Sequence, residues 1–153
     1  VMGRGSTFGE AFGKAIKAAG DEIPTKGNIF VSVKDSDKKY LPELCQKFIE
    51  LGFNIKATKG SCQFLADKGI SVEKVNKVLE GRPHIVDEIL NNEICMVINT
   101  TEGRQSIKDS FSIRRSALEH NTFLTTTISG GFAIAESLEK PSNEWNYIPL
   151  QTS

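Results

Sequence analysis

The sequence predicts an α/β protein, a parallel sheet covered by helices on both faces. Short apolar runs, clearest at Ile29-Phe30-Val31-Ser32-Val33 and Ile94-Cys95-Met96-Val97-Ile98, show little of the polar alternation of a half-exposed strand and read as strands buried on both sides. Helical stretches separate such runs, and no hairpin signal such as Asn-Gly joins one strand to the next. Each return to the sheet therefore needs a right-handed crossover. At 153 residues, 39% hydrophobic and 25% charged, the chain can bury one core and is too short for two.

The first element expected is a helix. Phe8, Phe12 and Ile16 recur every fourth residue beside Ala11, Ala15 and Ala19. Ser6 stands where an N-cap belongs, so the helix is expected over Thr7 to Ala19, with Gly20 ending it. The start at Val1 reads as a cut from something longer, and the polar stretch Asp21 to Gly27, with Pro24 inside it, reads as a linker. The expected division is thus 1–27 linker and helix, 28–140 main domain and 141–153 polar tail. After the first strand, Leu41, Leu44, Cys45, Phe48 and Ile49 fall on one helical face that Gly52 stops. A short strand from Phe53 to Ala57 leads through Thr58-Lys59-Gly60-Ser61 into a helix ending near Lys68. Val75 and Val78 mark a brief extended piece, and Ile85, Ile89 and Leu90 a short helix. Beyond the strand Ile94 to Ile98, a helix is expected from about Ser110 to His120, a strand near Phe123 to Thr126, and a last helix from about Ser129 to Leu138, where Gly130-Gly131 permits close packing.

Nineteen basic residues balance nineteen acidic ones, so no overall field draws the chain to nucleic acid or to a membrane surface. No apolar run nears the roughly 20 residues of a spanning helix, and no signal peptide opens the chain, so a soluble, cytoplasmic protein is expected. Cys45, Cys62 and Cys95 are odd in number and widely spaced, and the only histidines are His84 and His120. Reduced thiols and no metal site follow. Dinucleotide, P-loop and nucleophile-elbow motifs are all absent from the sequence.

In an open α/β sheet, ligands gather beyond the carboxyl ends of the strands, where the following helices turn their N-termini. The exits here are Lys34-Asp35-Ser36-Asp37-Lys38, Thr58-Lys59-Gly60-Ser61, Asn99-Thr100-Thr101-Glu102-Gly103-Arg104 and Thr126-Thr127-Ile128-Ser129. The second is the most informative. Gly60 lets the backbone turn tightly and leaves the hydroxyls of Thr58 and Ser61 beside the N–H groups that open a helix, which is how a phosphate is held. Lys38 and Lys77 can close such a site with charge. Serine and threonine at these junctions also serve as plain N-caps and lysines as plain solvated charge; the convergence of several loops on one rim favours a ligand. Asn99-Thr100-Thr101 suits a sugar or base edge, or equally a turn satisfying its own backbone. Arg114 and Arg115 read as solvated charge before they read as an interface pair, Arg82-Pro83-His84 as a structural loop, and Cys62 as a thiol without a catalytic partner.

Several longer strings carry a resemblance. Ser6-Thr7-Phe8 with Glu10-Ala11-Phe12, Val75-Asn76-Lys77-Val78, Glu80-Gly81-Arg82-Pro83-His84-Ile85, Ile98-Asn99-Thr100-Thr101, Ile113-Arg114-Arg115-Ser116-Ala117-Leu118 and Gly130-Gly131-Phe132-Ala133 resemble the C-terminal allosteric domain of the large subunit of bacterial-type carbamoyl phosphate synthetase. The resemblance spans nearly the whole chain. It implies a methylglyoxal-synthase-like fold with a five-stranded parallel sheet, regulating rather than catalysing and holding no cofactor of its own. The parent it implies makes carbamoyl phosphate from bicarbonate, glutamine-derived ammonia and two ATP, with Mg or Mn and K as its ions, for pyrimidine and arginine synthesis. The partners it implies are UMP or IMP, the rest of the large chain, the small glutaminase subunit and further copies at subunit contacts. Carried over by position, Ser32, Lys38, Thr58, Ser61 and Lys77 would contact phosphate, and Asn99, Thr101, Arg104 and Asp109 the ribose and base. Lys59 replaces a histidine frequent in the family and adds a cation at the mouth. Of the Tyr-Asp-Thr run found in ornithine-responsive members only Thr126 is kept, which argues against ornithine as an effector. A methylglyoxal-synthase-type lyase is disfavoured because Gly81-Arg82-Pro83 offers no carboxylate base; an oligomerisation module without effector binding is the other reading.

Overall fold

The computed structural model describes residues 1–149 and 151. Its centre is a five-stranded sheet in the order β3-β2-β1-β4-β5, built from β1 (Asn28–Ser32), β2 (Asn54–Ala57), β3 (Glu73–Lys74), β4 (Met96–Asn99) and β5 (Phe123–Thr125). Every pairing is parallel, as the crossover argument requires. The helices are α1 (Phe8–Ala18), α2 (Leu41–Glu50), α3 (Lys59–Asp67), α4 (Ile85–Leu90), α5 (Gly103–Glu119) and α6 (Ile128–Ser137). The central strands face two cores because successive side chains point to opposite sides. Ile29, Val31, Met96 and Ile98 pack with Leu44, Phe48, Leu65 and Ile134 on one side; Phe30 and Val97 pack with Ile85, Ile89, Ile113 and Ala117 on the other.

Lys56 interrupts this apolar pattern. It is 9% exposed on β2, and its ammonium lies 2.6 Å from Glu88 Oε1 and 3.6 Å from Glu73 Oε1. Burial alone would pull its pKa down; the carboxylates, Glu88 first, outweigh this and leave it raised.

The segments outside 28–140 pack closely on the sheet domain. α1 runs against α6 so tightly that a Cβ on Gly9 would stand 2.5 Å from the Glu136 carbonyl oxygen, and one on Gly13 equally close to the Trp145 ring. Glu10 is 3% exposed and accepts from the Asn146 backbone N–H at 2.8 Å and the Ser6 hydroxyl at 2.8 Å, with Lys14 Nζ at 3.1 Å. Lys14 also donates to the carbonyls of Arg4 and Asn146 and lies over the Tyr147 ring. The Asn146 N–H, followed by Ser6 and Lys14, lowers the Glu10 carboxyl from 4.5 to about 2.

Several expected boundaries move. Thr7, not Ser6, caps α1, its hydroxyl accepting from Glu10 N–H at 3.2 Å, while Ser6 bonds the Glu10 carboxylate. The extended piece placed at Val75 and Val78 is instead β3 at Glu73–Lys74; Val75 is a core residue just past it, and Val78 begins a 3₁₀ turn, Val78–Glu80. α5 starts seven residues ahead of Ser110, at Gly103. Arg104 to Asp109 carries one apolar residue, Ile107, so it has no apolar period to read; its supports are local, such as Gln105 donating to Asp109 at 2.8 Å. α6 opens at Ile128 under a Thr127 cap, and Gly130-Gly131 packs closely as expected, a Cβ on Gly131 lying 3.0 Å from Leu44 Cδ2.

Candidate functional site

A cavity of about 810 Å³ opens at the carboxyl edge of the sheet, the position topology assigns to ligands. The segment leaving β1 supplies Ser32 to Asp35 and Lys38; the start of α3 supplies Thr58, Gly60 and Ser61; Lys77 to Glu80 form a third side, and Thr100, Glu102 and the Gln105 to Ile113 stretch of α5 the last.

The α3 opening is built from Thr58 onwards. Thr58 has extended backbone geometry and is 4% exposed, yet its side chain makes no capping bond to the helix. The first helical bond is Cys62 N–H to Thr58 O at 2.8 Å, so the N–H groups of Lys59, Gly60 and Ser61 have no acceptor within the helix. Ser61 is 2% exposed. Lys38 reaches over this turn, and a Cβ on Gly60 would lie 3.5 Å from its Nζ. Asp35 Oδ1 anchors that ammonium at 2.9 Å, and the bond from Lys38 holds the Asp35 carboxyl below its ordinary value. Two other acids at the cavity are bonded within the chain. Glu80 accepts from the Lys77 backbone N–H at 2.7 Å, and Asp109 from Gln105 at 2.8 Å. The cations Lys34, Lys38, Lys77 and Lys108 surround the same space. Backbone donors, hydroxyls and ammonium groups around a half-enclosed cleft are suited to an anion with a polar body attached.

Of the residues singled out from the sequence, Ser32, Lys38, Thr58, Ser61, Lys77 and Asp109 line this cavity. Lys59, Asn99, Thr101, Arg104 and Thr126 do not line it. Lys59, Arg104 and Thr126 are exposed, Thr126 lying just past the end of β5. Asn99 is 1% exposed and committed internally: its Nδ2 donates to Ser32 O at 3.3 Å and its Oδ1 accepts from Arg114 Nε at 2.8 Å. Arg114 Nη2 also donates to Asn99 O at 3.0 Å and to Thr101 Oγ1 at 3.3 Å. The pair expected in solvent or at an interface is therefore split. Arg114 turns inward, and Arg115 is exposed with Glu119 at 2.9 Å. The residue of the triplet that reaches the cavity is Thr100, 5% exposed, its Oγ1 accepting from Lys34 N–H at 2.9 Å. The triplet pointed to this loop; which of its members turns to the cavity depends on the Arg114 bonds, which no local pattern shows.

The remaining polar candidates have structural partners. His84 caps α4: its Nδ1 accepts from Asp87 N–H at 3.4 Å and its own N–H donates to Asp87 Oδ2 at 2.9 Å. Arg82 lies 3.3 Å from Asp87 Oδ1, so the first acid after the Gly81-Arg82-Pro83 loop is held by that cap, and Glu80, just before it, accepts from the Lys77 backbone N–H. Cys62 points its thiol to the Val72 carbonyl at 3.4 Å, and burial pushes Cys45 up to about 12 and Cys95 to about 11. No helix of the described residues is long and apolar enough to cross a membrane.

Residues 40–126 match the model of the MGS-like domain family. The carbamoyl phosphate synthase large chain of Pseudomonas syringae pv. tomato is 53% identical over 139 residues, that of Pseudomonas aeruginosa 50% over 139, and that of Pasteurella multocida 48% over 140. Each alignment takes in 91% of this chain and 13% of the relative, so the chain spans about an eighth of the length of these large chains. A matched segment covering most of the sheet, the parallel order around β1, and half-identity along nearly the whole chain agree with the motifs: the chain belongs to the MGS-like domain family, in the form carried by carbamoyl phosphate synthase large chains.

Proposed function

We propose that this chain is the effector-binding regulatory domain of a carbamoyl phosphate synthase large chain, and that its cavity takes a nucleoside monophosphate, UMP or IMP. The observation that carries the proposal is the α3 opening, where Thr58, whose hydroxyl makes no capping bond, Gly60 and Ser61 line the cavity together with Lys38, whose ammonium stands over Gly60. In this reading the phosphate sits on those N–H groups and hydroxyls, with Lys38 and Lys77 balancing its charge. The sugar and base extend towards Thr100 and the Asp109 side of α5. The domain performs no chemistry itself. It tunes, by a coupling of about 1 to 3 kcal/mol, an ATP-dependent synthesis of carbamoyl phosphate carried by the rest of the large chain with ammonia from a glutaminase subunit.

Calorimetry of the 153-residue chain with UMP and with IMP tests the proposal. Saturable heat is expected, and Lys38→Ala or Thr58→Ala should weaken binding about tenfold or more, because each removes a bond to a charged oxygen. Absence of heat and of any thermal shift at millimolar nucleotide would reject it.

A further inference from the structure

Arg114 is the side chain on which the geometry of the β4 exit depends. A guanidinium carries donors only, so every atom it meets must be an acceptor. Its Nε–H fixes the Asn99 carboxamide with Oδ1 towards α5, and Asn99 Nδ2 then donates to the Ser32 carbonyl across the sheet edge. Its Nη2 takes up the Asn99 carbonyl and the Thr101 hydroxyl oxygen together. Thr100 lies between these two clamped residues and faces the other way, into the cavity. The Thr100 N–H donates to Ser32 O at 3.0 Å, and its hydroxyl oxygen accepts from the Lys34 N–H. The Lys34 bond leaves the hydroxyl proton and one lone pair of Thr100 for a ligand. Arg114 also follows directly on Ser112 and Ile113, which line the cavity from α5. One side chain thus sets the spacing between the α5 wall and the paired exits of β1 and β4. Its neighbour Arg115, exposed and paired with Glu119 one turn along the same helix, provides an internal contrast.

We infer that Arg114 is a positioning residue for the nucleoside end of the effector: without touching the ligand, it holds Thr100 and the β4 exit at the distance from α5 that the nucleoside requires. The inference rests on the effector reading above. At the phosphate end of the cavity, Lys38 is anchored by Asp35 and α3 opens on the Cys62 N–H to Thr58 carbonyl bond, neither of which involves Arg114. Lysine cannot replace it, since an ammonium has neither the planar fork nor the reach to hold three acceptors at once.

The test is a comparison of UMP with inorganic phosphate on the unaltered chain and on Arg114→Lys, Arg114→Gln and Arg115→Gln, with ligand-free melting temperatures recorded alongside. Both Arg114 variants should lose about tenfold or more in UMP affinity while phosphate affinity stays within about twofold, since only neutral-acceptor bonds at the nucleoside end are lost. Arg115→Gln should bind both ligands as the unaltered chain does. Unchanged UMP affinity in Arg114→Lys and Arg114→Gln, whatever their melting temperatures, reduces the clamp to a structural bond and overturns the inference. Equal loss of UMP and phosphate also overturns it, because the effect is then on the whole cavity. If the Arg114 variants do not fold, Thr101→Val removes one acceptor of the same clamp; UMP binding weakened with phosphate spared supports the inference, and both unchanged rejects it. An unaltered chain that binds phosphate but prefers UMP no better has no nucleoside end to position, which removes this inference and leaves the anion site. One that binds neither ligand removes the effector reading itself.

Discussion

Lys56 carries a positive charge into the sheet and is tolerated there because Glu88 and Glu73 stand beside it. Removing one partner strands the other, so Glu88→Gln should destabilise the fold by about 3 kcal/mol, read from urea unfolding. Replacing Lys56→Met together with Glu88→Leu should recover much of that loss, because the pair then leaves no buried charge behind. Neither partner is legible as a pair in the sequence, since 32 positions separate them and only the crossover from β2 through β3 to α4 brings them together. The residues proposed to hold the phosphate are the opposite case. Thr58, Gly60 and Ser61 are contiguous and sit at a strand-to-helix junction, so local chemistry and position in the fold coincide. Asn99 and Thr101 look equally polar on paper, but Arg114 takes up their acceptors from fifteen and thirteen residues away.

At the scale of elements, apolar runs placed the buried strands within a residue or two, because a strand covered on both faces has no polar alternation to blur it. The failures lie where an element has no apolar face. β3 is two residues long and exposed, and the first half of α5 is polar throughout but for Ile107. The glycines of the helices divide by what surrounds them. A methyl on Gly60 would meet only the Lys38 ammonium, at an ordinary contact distance. Gly60→Ala should therefore raise stability by about 0.5 kcal/mol in thermal melts. Gly9 has no such room against the Glu136 carbonyl. Gly9→Ala must push α1 away from α6 and should cost about 1 to 3 kcal/mol, measured in the same melts.

Across the whole molecule, the two ends of the chain are fastened to each other through Glu10. Its carboxyl is lowered from 4.5 to about 2 by the Asn146 N–H, Ser6 and Lys14, so the folded state favours the ionised form. The stability this adds is complete above about pH 4.5 and is lost as the pH falls towards 2. Trp145, the only tryptophan of the chain, sits on Gly13 within the fastened segment, and its fluorescence should report an acid transition in that window. Glu10→Gln should remove the transition while leaving the far-ultraviolet circular dichroism of the sheet domain at neutral pH largely intact; an unchanged acid profile in that variant would mean another group is titrating.

The same α1 contact bears on where this chain can be trimmed. Phe12 packs against the core on the α2 and α6 side, and Gly9 and Gly13 meet α6 and Trp145. An excision beginning at residue 28, though it keeps every strand, would strip α6 of its cover and lay apolar side chains bare to water. A shortened form of this protein that is to stay folded has to carry its first helix with it.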